Sequence, residues 1–188
     1  MRGRVGELAA TRAWLRTRVD NQVDRTLRTL LSSTTETLAV ASATAASVRM
    51  LSEDDALLLP VAAHHPDPHL RSKIASVMDR TAPRPRSGIW RPVVDCRRAV
   101  RLRIDRDRLP PEASPEQREF LLHYPLTAML GVPLEHEGRL VGGASLVRFS
   151  VDMAFTDDDE ALLYDFAARV APLLGILRQV SARTTSGP

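Results

Sequence analysis

Two apolar runs, AMLGVPLEH and RLVGGASLVRF, are joined by the dipeptide Glu137-Gly138, and this short link constrains the fold more than any other feature of the chain. Two residues between strand-like runs predict a β-hairpin, because only a tight turn closes antiparallel neighbours at that length. A lone hairpin is marginal in water, so other segments must supply further strands and a layer to cover them. The residues that follow supply one such layer. In FTDDDEALLYDFAARVAPLLGILRQV, Thr156 and Asp159 stand at capping-box spacing, and the acids at 157–160 suit the positive end of a helix dipole. Leu162, Leu163, Phe166, Val170, Leu173, Leu174 and Leu177 then recur at helical spacing. Pro172 is expected to kink this helix, since it removes a backbone donor.

Upstream, Leu15, Val19, Val23, Leu27, Leu30, Leu31 and Leu38 recur at steps of mostly three and four, which predicts a long amphipathic helix over Glu7 to Leu38, interrupted near SSTTET. The stretch TAASVRMLSEDDALLLPVAAHH reads as a second hairpin turning at SEDD. A helix over LRSKIASVMDR places Leu70, Ile74, Val77 and Met78 on one face, and the Pro-rich TAPRPRSG reads as a loop. IWRPVVDCRR predicts a short helix or turn, and AVRLRI a half-exposed strand. Ser114-Pro115-Glu116-Gln117 starts a helix, PEQREFLLH, which ends near His123 because Pro125 drives Tyr124 into an extended conformation. This order describes an α+β domain: an antiparallel sheet with the terminal helices packed on one face and loops and short helices forming a pocket on the other. The expected divisions are an N-terminal dimerisation and signalling helix at 1–26, the domain proper at 27–180, and a disordered tail at 181–188.

The length of 188 residues fits one domain, and no run approaches the roughly 20 apolar residues of a membrane span. The basic N-terminus leads into an amphipathic helix rather than an apolar signal core, so the cytoplasm is the expected compartment. A net charge of +3 and an aromatic content of 4% leave little for a nucleic-acid groove, which needs a basic strip and stacking rings. Cys96 is the sole cysteine, which excludes an internal disulfide. The apolar stripe on the first helix must be covered by something, and a second copy of the chain is the expected cover.

The stretch MLGVPLEHEGRLVGGASLVRFSVDMAFTDDDEALLYDFAARVA resembles the second half of a GAF domain. There a Leu-Gly-Val-Pro strand is followed by a turn, a closing strand, and Phe-Thr-Asp-Asp opening the last helix. SGIWRPVVDCRRAVRLRIDRD is similar to that family's glycine-led helix and following strand, and the likeness runs from about Leu27 to Val180. It implies a module that senses a small molecule and signals through dimer helices to a downstream protein. It also implies a pocket, for which the candidate lining residues are Val48, Met50, Leu59, Ile89, Trp90, Val93, Leu122, His123, Met129 and Val132. Trp90, between two proline-rich loop ends, is the strongest of these.

The family's individual chemistries need particular residues. Cys96 is followed by Arg97, unlike a bilin attachment site, and one cysteine cannot complete the disulfide cycle of methionine sulfoxide reduction. The cyclic-nucleotide signature of Asn, Lys, Asp and Glu is missing. His123 stands before Leu130-Gly131-Val132-Pro133 at a spacing similar to that of the proximal histidine in haem-binding GAF domains, which makes it the candidate axial ligand to haem iron. Tyr124 and Met129 depart from that pattern. The alternative for His123 is a helix-ending histidine beside the last carbonyls. His64, His65, Asp67 and His69 are a candidate zinc cluster, although short clusters in Pro-rich turns are mostly solvated. An enzyme on this scaffold would draw its acid–base group from His123, Asp95 or Glu119, but no nucleophile motif accompanies them.

Overall fold

The computed structural model describes residues 2–78, 82–83, 88–149 and 153–185. In chain order the elements are α1 (Arg2–Ala41), β1 (Ala45–Leu51), β2 (Leu57–His64), α2 (Pro68–Met78), β3 (Ala82–Pro83), α3 (Arg91–Cys96), β4 (Val100–Arg103), α4 (Pro115–His123), β5 (Leu126–His136), β6 (Arg139–Phe149) and α5 (Asp157–Thr185). The sheet order is β3-β2-β1-β6-β5-β4 with antiparallel neighbours throughout. The predicted hairpin is the longest pairing, from Leu126 opposite Phe149 to His136 opposite Arg139. Its turn is made by Glu137 and Gly138, both at positive φ (51° and 74°), as a two-residue hairpin turn requires.

Side-chain alternation divides the sheet between two apolar layers. Val48, Met50, Leu130, Val132, Leu134, Ala144 and Leu146 face α1 and α5, where they meet Leu31, Leu38, Leu163, Val170, Leu174 and Leu177. The opposite, loop-side layer joins Leu51, Leu58, Met129 and Phe149 to Ile89, Trp90, Val93, Ile104 and Leu121. The α+β architecture therefore stands as expected, with the terminal helices on one face and short helices on the other.

α1 is one uninterrupted 40-residue helix, which corrects the expected break at SSTTET. The hydroxyls of Thr34, Thr35 and Thr37 bond back to the carbonyls of Leu30, Leu31 and Ser33, so residues of weak helix preference keep their polar groups satisfied inside the helix. α5 likewise runs through Pro172 to Thr185. Ser181 to Thr185, expected as a disordered tail, are helical: Ser181 Oγ donates to Asp24 Oδ1 at 3.1 Å, and Arg183 lies 4.0 Å from the buried Asp20. The capping box of α5 forms between Thr156 and Asp159. Its acids are also drawn to the sheet, Asp157 and Glu160 by Arg101 of β4, and Asp159 by Arg148 of β6. The loop predicted over TAPRPRSG contains β3, whose Ala82 and Pro83 pair with Leu58 and Leu57. The remainder of it before Gly88 lies outside the described residues.

Candidate functional site

The loop-side layer is held over the sheet by a small set of contacts. Gly88, at φ 55°, opens a single 3₁₀ turn that leads through Trp90 into α3, with proline in the first turn of that helix. Ser114 and Gln117 form the predicted capping box at the start of α4. The Gln117 side chain does more than cap, because Oε1 also accepts the Ile89 N–H at 3.0 Å. One amide thus ties α4 to the turn that carries Trp90. No side chain fits at residue 88: a Cβ there would fall on the Gln117 side chain, in a backbone conformation that L residues avoid.

Trp90 is 7% exposed and lies on the sheet at Gly143. A Cβ at residue 143 would come within 2.7 Å of the indole Cζ3 and 3.2 Å of Val93 Cγ1, so glycine there permits the close approach of α3 to β6. Gly131 does the same on β5, where a Cβ would meet Val100 and Val93 at 3.2 and 3.3 Å. The floor beneath Trp90 and Val93 is therefore made of small residues.

That floor is also polar. Arg49 is paired with Gly143, and Ser47 with Ser145. Directly opposed residues share a face, so all four point to the loop side. Ser47 and Ser145 are buried, with their hydroxyls 2.8 Å apart. Arg49 is 7% exposed and its Nη1 lies 3.4 Å from the Leu58 carbonyl. β1 and β2 change register between Val48 and Arg49, beside Pro60, and a strand irregularity of this kind re-aims neighbouring side chains.

The candidate lining residues do not converge on one space. Ile89, Trp90, Val93 and Met129 are together in the loop-side layer. Val48, Met50 and Val132 lie in the layer against the terminal helices, with Leu59 packed beside it. The cause is strand alternation: Met50 and Met129 sit on opposite faces of the same sheet. Leu122 is 58% exposed, and His123 is also exposed at the end of α4, its ring edge-on to Tyr124 at 4.9 Å. This placement does not fit a haem site, because an axial histidine needs an enclosed apolar cavity around the iron and the His123 ring is exposed. Asp95 and Glu119, the other acid–base candidates, are exposed as well. The polar residues of the loop-side floor that periodicity missed are Ser47, Arg49 and Ser145. The signal available was an arginine and two serines at inward positions of strands that are otherwise apolar.

The proposed zinc ligands separate for the same reason of alternation. His64 is opposite Ala46 on the helix side, 3.7 Å from Glu36 of α1. His65 turns to the loop side, where its ring meets Phe149 at 5.6 Å and its Nδ1 accepts the Asp67 N–H. Burial holds the His65 imidazole below its usual pKa, against the opposing effect of Asp67. Asp67 caps α2 by accepting the His69 N–H at 2.8 Å. Among the described residues no three of His, Cys, Asp or Glu gather as metal ligands, and no helix is long and apolar enough to cross a membrane.

An antiparallel sheet with paired terminal helices on one face and a helical roof on the other defines an α+β domain. Residues 22–174 match the family model of the GAF domain, and the chain belongs to that family. No curated protein matches it. Among solved structures, the chain is similar to the GAF domain/HD domain protein of Geobacter sulfurreducens at 14% identity, covering 79% of this chain and 92% of that one, with a TM-score of 0.64. It is also similar to the GAF domain of a phosphoenolpyruvate-protein phosphotransferase from Coxiella burnetii, at 18% identity, 90% and 96% coverage and a TM-score of 0.63. A third likeness is to the second GAF domain of DevS from Mycobacterium smegmatis, at 20% identity, 87% and 99% coverage and a TM-score of 0.55.

Proposed function

We infer that the chain is a regulatory GAF module that works as a homodimer. It binds a small molecule on the loop side of its sheet and passes occupancy through α1 and α5 to a downstream signalling protein. The observation that carries this reading is the N-terminal half of α1. Every described side chain from Glu7 to Val19 is exposed, including Leu8 (56%), Trp14 (57%), Leu15 (49%) and Val19 (57%). Among the described residues, the first polar contacts of α1 with α5 are at Asp20 and Asp24. A projecting helix of this length is marginal by itself in water, and Leu8, Leu15 and Val19 fall on one face at heptad-like spacing, which a second copy would cover. On α5, Leu162 and Ile176 are exposed two heptads apart and extend the same kind of surface.

A ligand does signalling work only through a difference in affinity between two arrangements of the helices. The links in place for that coupling are Trp90 on β6, Asp24 with Ser181 between α1 and α5, and Arg178 of α5 with Asp55 of the β1–β2 turn. The shared fold of a phosphotransferase and of DevS supports a regulatory setting. Sedimentation equilibrium tests the dimer: wild type sediments as two copies, and a Leu15→Glu/Val19→Glu variant as one with its circular dichroism retained. A monomeric wild type overturns the dimer. A metabolite library that raises the melting temperature with no compound overturns the ligand.

A further inference from the structure

On the side of the terminal helices, the tips of the β1–β2 and β5–β6 hairpins meet the last third of α5 around an open cleft of about 370 Å³. Buried Val141 and Gly175 line it, and Glu53, Glu137, Arg139 and Gln179 are its exposed members. A Cβ at residue 175 would come within 2.6 Å of His136 Cδ2, so glycine lets the imidazole lie against the helix. Arg139 is paired with His136 across the hairpin and shares its face. The cleft also contains a guanidinium that the fold has already oriented. Arg178 lines it with a side chain 12% exposed. Its charge is matched by Asp55, and Nη2 alone makes the bonds to Asp55, Ser52 and Glu53. A guanidinium has five N–H donors. Those on Nε and Nη1 bond no group among the described residues, and neither atom is sealed from solvent.

We propose that this cleft binds a free α-amino acid as its zwitterion. The α-carboxylate takes the Nε and Nη1 donors of Arg178 in a two-pronged, charge-assisted bond, and the α-ammonium lies toward Glu53 and Glu137. The charges around the cleft favour a ligand that carries both signs. Arg139 and Arg178 are outnumbered by Asp55, Glu53 and Glu137, so a plain anion meets an excess of negative charge. A plain amine would leave the oriented donors of Arg178 without a carboxylate. The cleft lies across the sheet from the loop-side layer, and the proposal does not depend on a ligand bound there. Gly175, Arg178, Gln179 and Ala182 all belong to α5, which Ser181 ties to Asp24 of α1, so occupancy bears directly on the helix pair.

Melting curves of the full chain with each of the twenty standard amino acids test the proposal, and calorimetry then compares the best ligand with its α-amide, its deaminated acid and inorganic phosphate. At least one amino acid raises the melting temperature and binds saturably. The amide, the deaminated acid and phosphate each bind about tenfold more weakly or worse. Glu53→Gln/Glu137→Gln exchanges two exposed side chains for isosteres and keeps the fold. It weakens the amino acid by about fivefold and narrows its advantage over the deaminated acid. Arg178→Lys keeps a positive charge beside Asp55 but loses the planar fork, and it weakens the amino acid as well. The assignment is overturned if no amino acid binds, if the amide, the deaminated acid or phosphate binds as tightly as the amino acid, or if the glutamine variant binds unchanged. That last result would place the ligand elsewhere on the chain.

Discussion

Arg178 of α5 reaches Asp55 of the β1–β2 turn, and the same Nη2 donates to the carbonyls of Ser52 and Glu53 at 2.6 and 2.9 Å. Asp55 stands at φ 58°, so the clamp holds a strained turn against the last third of the terminal helix. With the Arg178 side chain 12% exposed and that of Asp55 43% exposed, solvent screens part of the charge attraction. Arg178→Ala is expected to cost about 1–2 kcal/mol through the loss of hydrogen bonds, measured by urea unfolding. It is also expected to speed amide exchange in the β1–β2 turn ahead of β5 and β6.

Gly143 lies beneath Trp90, where an added Cβ would come within 2.7 Å of the indole. Gly143→Ala is expected to destabilise the chain by about 1–3 kcal/mol through overpacking. Trp90→Leu in the same chain returns part of that loss, and a double-mutant cycle reads the coupling. Simple additivity of the two substitutions would contradict the contact.

His65 supplies a pH dependence with a definite sign. Its imidazole is held below the ordinary value of 6.5, chiefly by burial, so the folded state favours the neutral ring. The unfolded chain therefore takes up the proton first, and the stability from the neutral ring, complete above pH 6.5, is lost as pH falls through the lowered folded-state value. Urea midpoints at about pH 7.5 and pH 5.5 should fall on acidification. The part of that fall removed by His65→Phe belongs to this ring.

Haemin offers a direct check on His123. The imidazole is exposed and lies against Tyr124, so purified protein mixed with haemin is expected to show no Soret shift that His123→Ala abolishes. A shift dependent on His123 would restore it as an axial ligand.

Local signals made much of the architecture legible. Glu137-Gly138, the capping residues Ser114 and Thr156, and the leucine spacing of α5 each act over a few residues, and each formed as read. The misreadings arose where a distant segment settles a local choice. The hydroxyl-rich stretch of α1 looked like a helix break, but the apolar layer beneath Leu31, Leu38 and Ala39 holds it straight while the hydroxyls bond backward. Met50 and Met129 looked equivalent as apolar strand residues, and only the register of β1 and β5 against β6 sends them to opposite faces.

The amino-acid sequence by itself determined most of the elements, their order and the family, because turns, caps and periodicity are short-range properties of the chain. The tertiary structure decided which side chains share a space. Trp90 meets Gly143 at a separation of 53 positions in the sequence, and Ser47 meets Ser145 at a separation of 98. Such pairings depend on strand order and register, and a shift of one residue in either strand would turn every side chain to the other face.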